Sequence, residues 1–290
     1  MKDIQADAAK NPHLKRALKP VHVGALALGA IIGWGNFLLP DATILPRSGF
    51  LGSLIGFAAA AILMSFIVLT YGYMIKRVPV AGGEFSYGYA GYGVVGGFVS
   101  GWAILFLYLT VVCANLMGIG LVFRVLAPKL FVWGKLYEVA GWPVYTGEVI
   151  FLFIVMLVFA YTNYRGIVFS GRLQVVLAGG ILLGVVVLFI GSLLYPESNA
   201  ENLKPVIPEG KTLWSSVVAL IALTPFLLSG FDTVPQAAEE YDFDPTKTTK
   251  LMLFAIIAGT LVYALTTYSV ALLVPVADMQ QTVKDSGAPF

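Results

Sequence analysis

Two short stretches hold the residues that could do chemistry. The first is residues 30–40, AIIGWGNFLLP, inside a long apolar run. Gly33 and Gly35 flank Trp34, Asn36 follows, and Pro40 comes soon after. Glycine costs about 1 kcal/mol against alanine in a helix interior, and proline about 3. In a bilayer, broken backbone is tolerated only where it is buried in protein or lines a wet cavity. A break here therefore predicts a pocket at membrane depth. The N–H groups of Gly33, Trp34 and Gly35 would face it beside the positive end of a half-helix, which suits a carboxylate. Packing is the alternative reading. Gly29 and Gly33 stand at the small-xxx-small spacing of close helix contacts, and glycine is common in membrane helices.

The second stretch is residues 224–235, TPFLLSGFDTVP. Pro225, Ser229, Gly230 and Pro235 interrupt an apolar helix, and Asp232 sits beside the break. Two spans broken by glycine and proline point to an inverted-repeat transporter with its site between the breaks. Together they favour the pocket over packing.

Other chemistries find little support. Cys113 is the single cysteine, so the chain holds no internal disulfide or thiolate metal cluster. His13 and His22 precede or open the first span and have no metal-ligand partner at useful spacing. An intramembrane enzyme needs paired acids, a Ser/His set or metal ligands, and Asp232 is the one acid well inside a span. An ionisable residue there reads as functional by default, here in gating or coupling; a structural hydrogen-bond acceptor is the other reading. Trp34 either narrows the pocket or packs against lipid or a helix. Tyr108 and Asn115 either line the pocket or bond between helices. Glu84 reads as an interfacial residue that fixes its loop, and Glu239 and Glu240 as solvated charges pairing with Lys247 or a nearby loop.

These residues need a membrane scaffold. The chain is 58% hydrophobic and 12% charged, with mean hydropathy +0.85. Soluble domains carry about 25% charged residues, so this is an integral membrane protein. Its net charge of +2 offers no basic surface for nucleic acid. No cleavable signal is visible in the polar, basic first twenty residues. Residues 1–20 read as a tail, and spans follow at about 21–45, 50–75, 95–125, 147–164 and 172–195. Residues 46–49 make a turn, and 78–93 a short loop with an interfacial helix. An amphipathic connection is expected over 127–146, where Trp133, Tyr137, Trp142 and Tyr145 mark an interface. A polar loop, 196–212, precedes the broken sixth span, and the seventh covers about 251–275. Residues 276–290 read as a polar loop that stops abruptly. A cytoplasmic N-terminus puts Lys2, Lys10, Lys15, Arg16, Lys19, Lys76, Arg77, Arg165, Arg172, Lys247 and Lys250 inside, the majority of the 18 basic residues.

IIGWGNFLLP, then PVAGGEFSYGY after the second span, then GFDTVPQAAEEYDFDPTK after the sixth, resemble the amino acid–polyamine–organocation permeases over essentially the whole chain. That resemblance implies an all-α membrane protein, a multi-span helical bundle of the LeuT type. Its five-plus-five inverted repeat has broken first and sixth helices, with 21–195 as the first repeat and 213–275 opening an incomplete second. The implied function is secondary transport of amino acids or related amines across the cytoplasmic membrane, with the substrate and lipids as partners. Gly33, Trp34 and Gly35 would hold a carboxylate. Ala30, Ile31, Phe226 and Leu227 would offer carbonyls to an amine, and Ser229, Gly230, Tyr108 and Asn115 complete the wall. No cofactor is implied, and the coupling ion, proton or sodium, stays open: Ile181 stands where some proton-coupled members carry a lysine. Members have about twelve spans, so the chain reads as a fragment that would not transport alone. A seven-span receptor or sensor is the rival reading, against which the basic tail argues.

Overall fold

The computed structural model describes residues 16–139 and 141–285. Lys2, Lys10, His13, Lys15 and residues 286–290 lie outside them. Helix α1, Pro20–Ile31, opens with proline at a position whose missing N–H has no helical partner to lose. It stops at Ile31, and a short helix α2, Gly35–Leu39, resumes the path. A π-helical turn, Pro40–Ile44, feeds α3, Leu45–Arg77. From Pro20 to Arg77 is 58 residues of nearly continuous helix, about 87 Å at 1.5 Å per residue, against a hydrocarbon core of about 30 Å. Two crossings are therefore folded back at Gly49, where φ is +63°. A Cβ on Gly49 would lie 2.6 Å from Val206 O, so conformation and space both demand glycine.

Helix α4, Glu84–Leu126, follows the Gly82–Gly83 turn. Its non-helical residue Gly93, φ +67°, divides the expected interfacial helix from the span. The connection after α4 differs from expectation. It holds one turn of helix α5, Pro128–Phe131, and an antiparallel hairpin of β1, Lys135–Val139, and β2, Trp142–Tyr145. Aromatic and β-branched residues in runs too short for a helix favour strands. Arg124 fixes the hairpin to α4: its guanidinium donates to Pro143 O at 2.8 Å and pairs bidentately with Glu148. Helices α6, Thr146–Tyr164, and α7, Ile167–Leu194, come next.

Helix α8, Leu213–Leu227, starts at a Thr212/Ser215 capping box. After the second break come α9, Thr233–Gln236, then α10, Thr248–Leu273, and α11, Val276–Asp285. The last replaces the expected terminal loop. Val276 and Met279 bury against Leu45 and Ala271, which holds the segment as a helix packed through an apolar edge. Five helical stretches among the described residues are long and apolar enough to cross a membrane. With almost no sheet, the fold is an all-α membrane helical bundle.

The core lies where α1, α3, α8 and α10 meet: Val23, Ala27, Phe57, Met64, Leu220, Leu227, Met252 and Ile256 are buried there. Gly52 and Gly56 let α8 close onto α3; a Cβ on either would fall within 3 Å of Ser216 or Leu220. Helices α4, α6 and α7 are mostly exposed and apolar, as helix faces in lipid are. The broken helices thus occupy the most densely packed part of the bundle.

Candidate functional site

At the first break, Ile32 leaves helical geometry (φ −87°, ψ 77°). The Gly33 N–H turns onto Ile31 O at 3.1 Å. Among the described residues, neither the Trp34 nor the Gly35 N–H donates to a backbone carbonyl. The two glycines of the spacing motif have different roles. A Cβ on Gly29 would lie 2.1 Å from Gln174 Nε2, so Gly29 is a packing contact with α7. On Gly33 it would meet only Asn115 Oδ1, at 3.9 Å.

At the second break, helix ends after Leu227 and resumes at Thr233, two residues later than the expected gap at Phe226 to Gly230. Gly230 has φ +124° and donates its N–H to Asp232 Oδ1 at 2.7 Å. The other Asp232 oxygen accepts Tyr108 Oη at 2.8 Å, tying the break to α4. Ser229 Oγ donates to Phe226 O at 3.0 Å. The two breaks touch: a Cβ on Gly230 would lie 2.6 Å from Ala30 C.

Between the breaks is a cavity of about 70 Å³. Ala30, Ile31, Gly33, Trp34, Gly35, Asn115, Phe226, Leu227 and Ser229 line it. Tyr108, Gly230 and Asp232 stand outside the lining and join it through the contacts just described. Val111, Ala114 and Tyr263 complete the wall and were not singled out from the sequence. Tyr263, a tyrosine in the middle of an apolar span, was the legible signal among them. Asn115 spends its Nδ2 on Val111 O at 2.9 Å, which leaves its carbonyl oxygen toward Gly33. Asn36, fully buried, accepts from Thr266 Oγ1 at 2.8 Å and so joins α2 to α10. A water-sized volume is about 10–15 Å³, so the cavity has room for about five to seven light atoms. An α-amino acid's main chain has that size.

A second polar group lies next to the α9 segment. Glu84 accepts from Tyr71 Oη at 2.6 Å and from Gln236 Nε2 at 2.5 Å, bridging α3, α4 and α9. Tyr71 also packs edge-on against Phe231, ring centroids 5.5 Å apart. Glu84 therefore joins three elements instead of fixing its own loop alone. Of the acidic pair behind α9, Glu239 pairs with a nearby loop as expected, and Glu240 differs from expectation. Glu239 accepts from the Ala81 N–H at 2.9 Å. Glu240 has a buried Oε2 without a hydrogen-bond partner. Burial, and then the neighbouring Glu239 charge, pushes the Glu240 carboxyl above its ordinary range. Among the described residues no group of three or more His, Cys, Asp or Glu could hold a metal ion.

Comparison with known proteins shows the family. A family model described as amino acid permease matches residues 18–289. The chain is 27% identical over 267 residues to the branched-chain amino acid permease BcaP of Bacillus subtilis, covering 91% of this chain and 56% of that protein. It is 30% identical over 239 residues to the aromatic amino acid transport protein AroP of Escherichia coli K12, covering 79% of this chain and 48% of that one. The chain thus spans about half the length of the curated relatives it matches. From its N-terminal break to its last helix, this polypeptide belongs to the amino acid permease family.

Proposed function

We propose that this chain carries the substrate site of a secondary active transporter. It would move amino acids or related amines across the cytoplasmic membrane by alternating access. The observation that carries the reading is the cavity at the junction of two helix breaks, where Gly230 lies against Ala30. Unbroken helices would have no free backbone groups to offer a zwitterion.

In this reading the Trp34 and Gly35 N–H groups bind the carboxylate, with the Gly33 N–H joining once released from Ile31 O. Carbonyls of Ala30, Ile31, Phe226 and Leu227 take the ammonium, aided by Asn115. Ser229 and Gly230 shape the second break. Asp232, held by Tyr108, is the gating or coupling residue: it links the break to α4, so its hydrogen bonds must change if the two move apart. The assignment of 21–195 and 213–275 to two inverted repeats belongs to this proposal, as does a cytoplasmic N-terminus. The coupling ion is left open.

The test is uptake by the full-length protein in sealed vesicles. Labelled small, branched-chain and aromatic amino acids are compared with a sugar and a nucleoside. Saturable uptake of zwitterionic amino acids, lost in Gly35→Pro, is expected. Equal uptake or thermal stabilisation with sugars or nucleosides refutes the proposal.

A further inference from the structure

The indole of Trp34 lies against bare backbone. Val111, Ala114 and Asn115 form one face of α4 and line the cavity. Gly118 continues that face by one turn. A Cβ built on Gly118 would lie 2.5 Å from both Cγ and Cδ2 of Trp34, and 2.7 Å from Cδ1. The ring therefore rests on the α4 main chain, in the space that any other residue's side chain would fill. Trp34 is also one of the residues that line the cavity.

We infer that Gly118 is a specificity-determining residue: it sets the size of side chain the cavity accepts by fixing how far Trp34 retreats toward α4. This rests on the reading of the cavity as an amino acid site. Carbon–carbon contacts prefer about 3.5–4.0 Å. A methyl at 118 thus requires the ring to shift by about 1 Å or more. The α4 backbone is tied to the second break by the bond from Tyr108 to Asp232. The shift therefore goes into a cavity of about 70 Å³. Main-chain recognition is unaffected, since the ring supplies none of the backbone donors. Gly118 and Trp34 act as one size gauge.

The test uses uptake by the full-length protein, with glycine, alanine, valine, leucine and phenylalanine as substrates. Gly118→Ala should raise KM for valine and leucine by about tenfold or more, the usual worth of one methylene in a tight pocket, and leave glycine within about twofold. Trp34→Ala should admit phenylalanine. The double variant should show the Trp34→Ala profile, because without the ring the added methyl meets nothing. A Gly118→Ala effect of equal size on every substrate overturns the inference, as does an additive double variant. If Gly118→Ala fails to fold alone, the double variant must regain the stability of Trp34→Ala; failure to do so overturns the inference. Should the wild type carry no amino acid, the cavity reading fails. The Trp34–Gly118 coupling is then still read from thermal stability, where Gly118→Ala lowers the midpoint only when the ring is present.

Discussion

Gly230→Ala tests whether the two breaks meet as described. Two costs add at this position. The φ of +124° lies in a region that only glycine visits without strain, and holding another residue there costs about 1–3 kcal/mol. The new methyl would also lie 2.6–2.8 Å from the carbonyl carbon, oxygen and Cβ of Ala30. Those are backbone atoms and a Cβ, so no flexible terminus can swing away. Overpacking of this kind costs about 1–3 kcal/mol. The expected loss is about 2–6 kcal/mol in total, from the two terms just given. Gly93→Ala is the control. Its φ is +67°, but a Cβ there would meet nothing within 4 Å, so only the strain of about 1–3 kcal/mol applies. Thermal unfolding of both variants in the same detergent supplies the comparison. Gly230→Ala should be clearly the less stable and should also lose ligand-induced stabilisation, because Ala30 lines the cavity. Equal midpoints for the two variants would refute the claim that the breaks are in backbone contact.

Three other perturbations probe separate parts of the molecule. Glu148→Gln leaves Arg124 partly buried beside the hairpin with no full counter-charge. Breaking such a pair costs up to about 3–5 kcal/mol when fully buried, so a loss toward the lower end, with early proteolysis in the hairpin, is expected; an unchanged midpoint argues against the anchor. Thr266→Val strands the Asn36 carbonyl oxygen and should cost about 1–3 kcal/mol; the loss should shrink in an Asn36→Leu background, and additive losses would show that the pair is not coupled. Glu240 has a raised carboxyl pKa, so the folded state holds its proton more tightly than the unfolded chain does. Its stabilising contribution is full below the ordinary value of 4.5 and is lost as pH rises through the raised value. Glu240→Gln should therefore be the more stable protein at neutral pH, with the advantage vanishing on acidification; an advantage that grows in acid would contradict the sign.

The sequence by itself determined the solvent, the long apolar runs and the two breaks. Those signals are local: apolar runs long enough for a bilayer, and glycine or proline where a helix would otherwise continue. The same locality explains where the reading fell short. The hairpin at 135–145 and helix α11 had no long periodic pattern, so their form depended on what they pack against, Arg124 in one case and Leu45 with Ala271 in the other. Gly29 and Gly33 are indistinguishable in the chain, and only the position of Gln174 beside one and a cavity beside the other separates them. Tyr263 reaches the cavity because α10 packs against the first broken helix, a contact between residues more than two hundred positions apart. Glu84, read as a loop residue, acquires its bonds from Tyr71 and Gln236 through the fold alone. Gly118 was one more glycine in a membrane helix until the Trp34 ring lay against it. Backbone breaks are written into a sequence because they depend on neighbouring residues; which side chains then face one another depends on how distant helices pack.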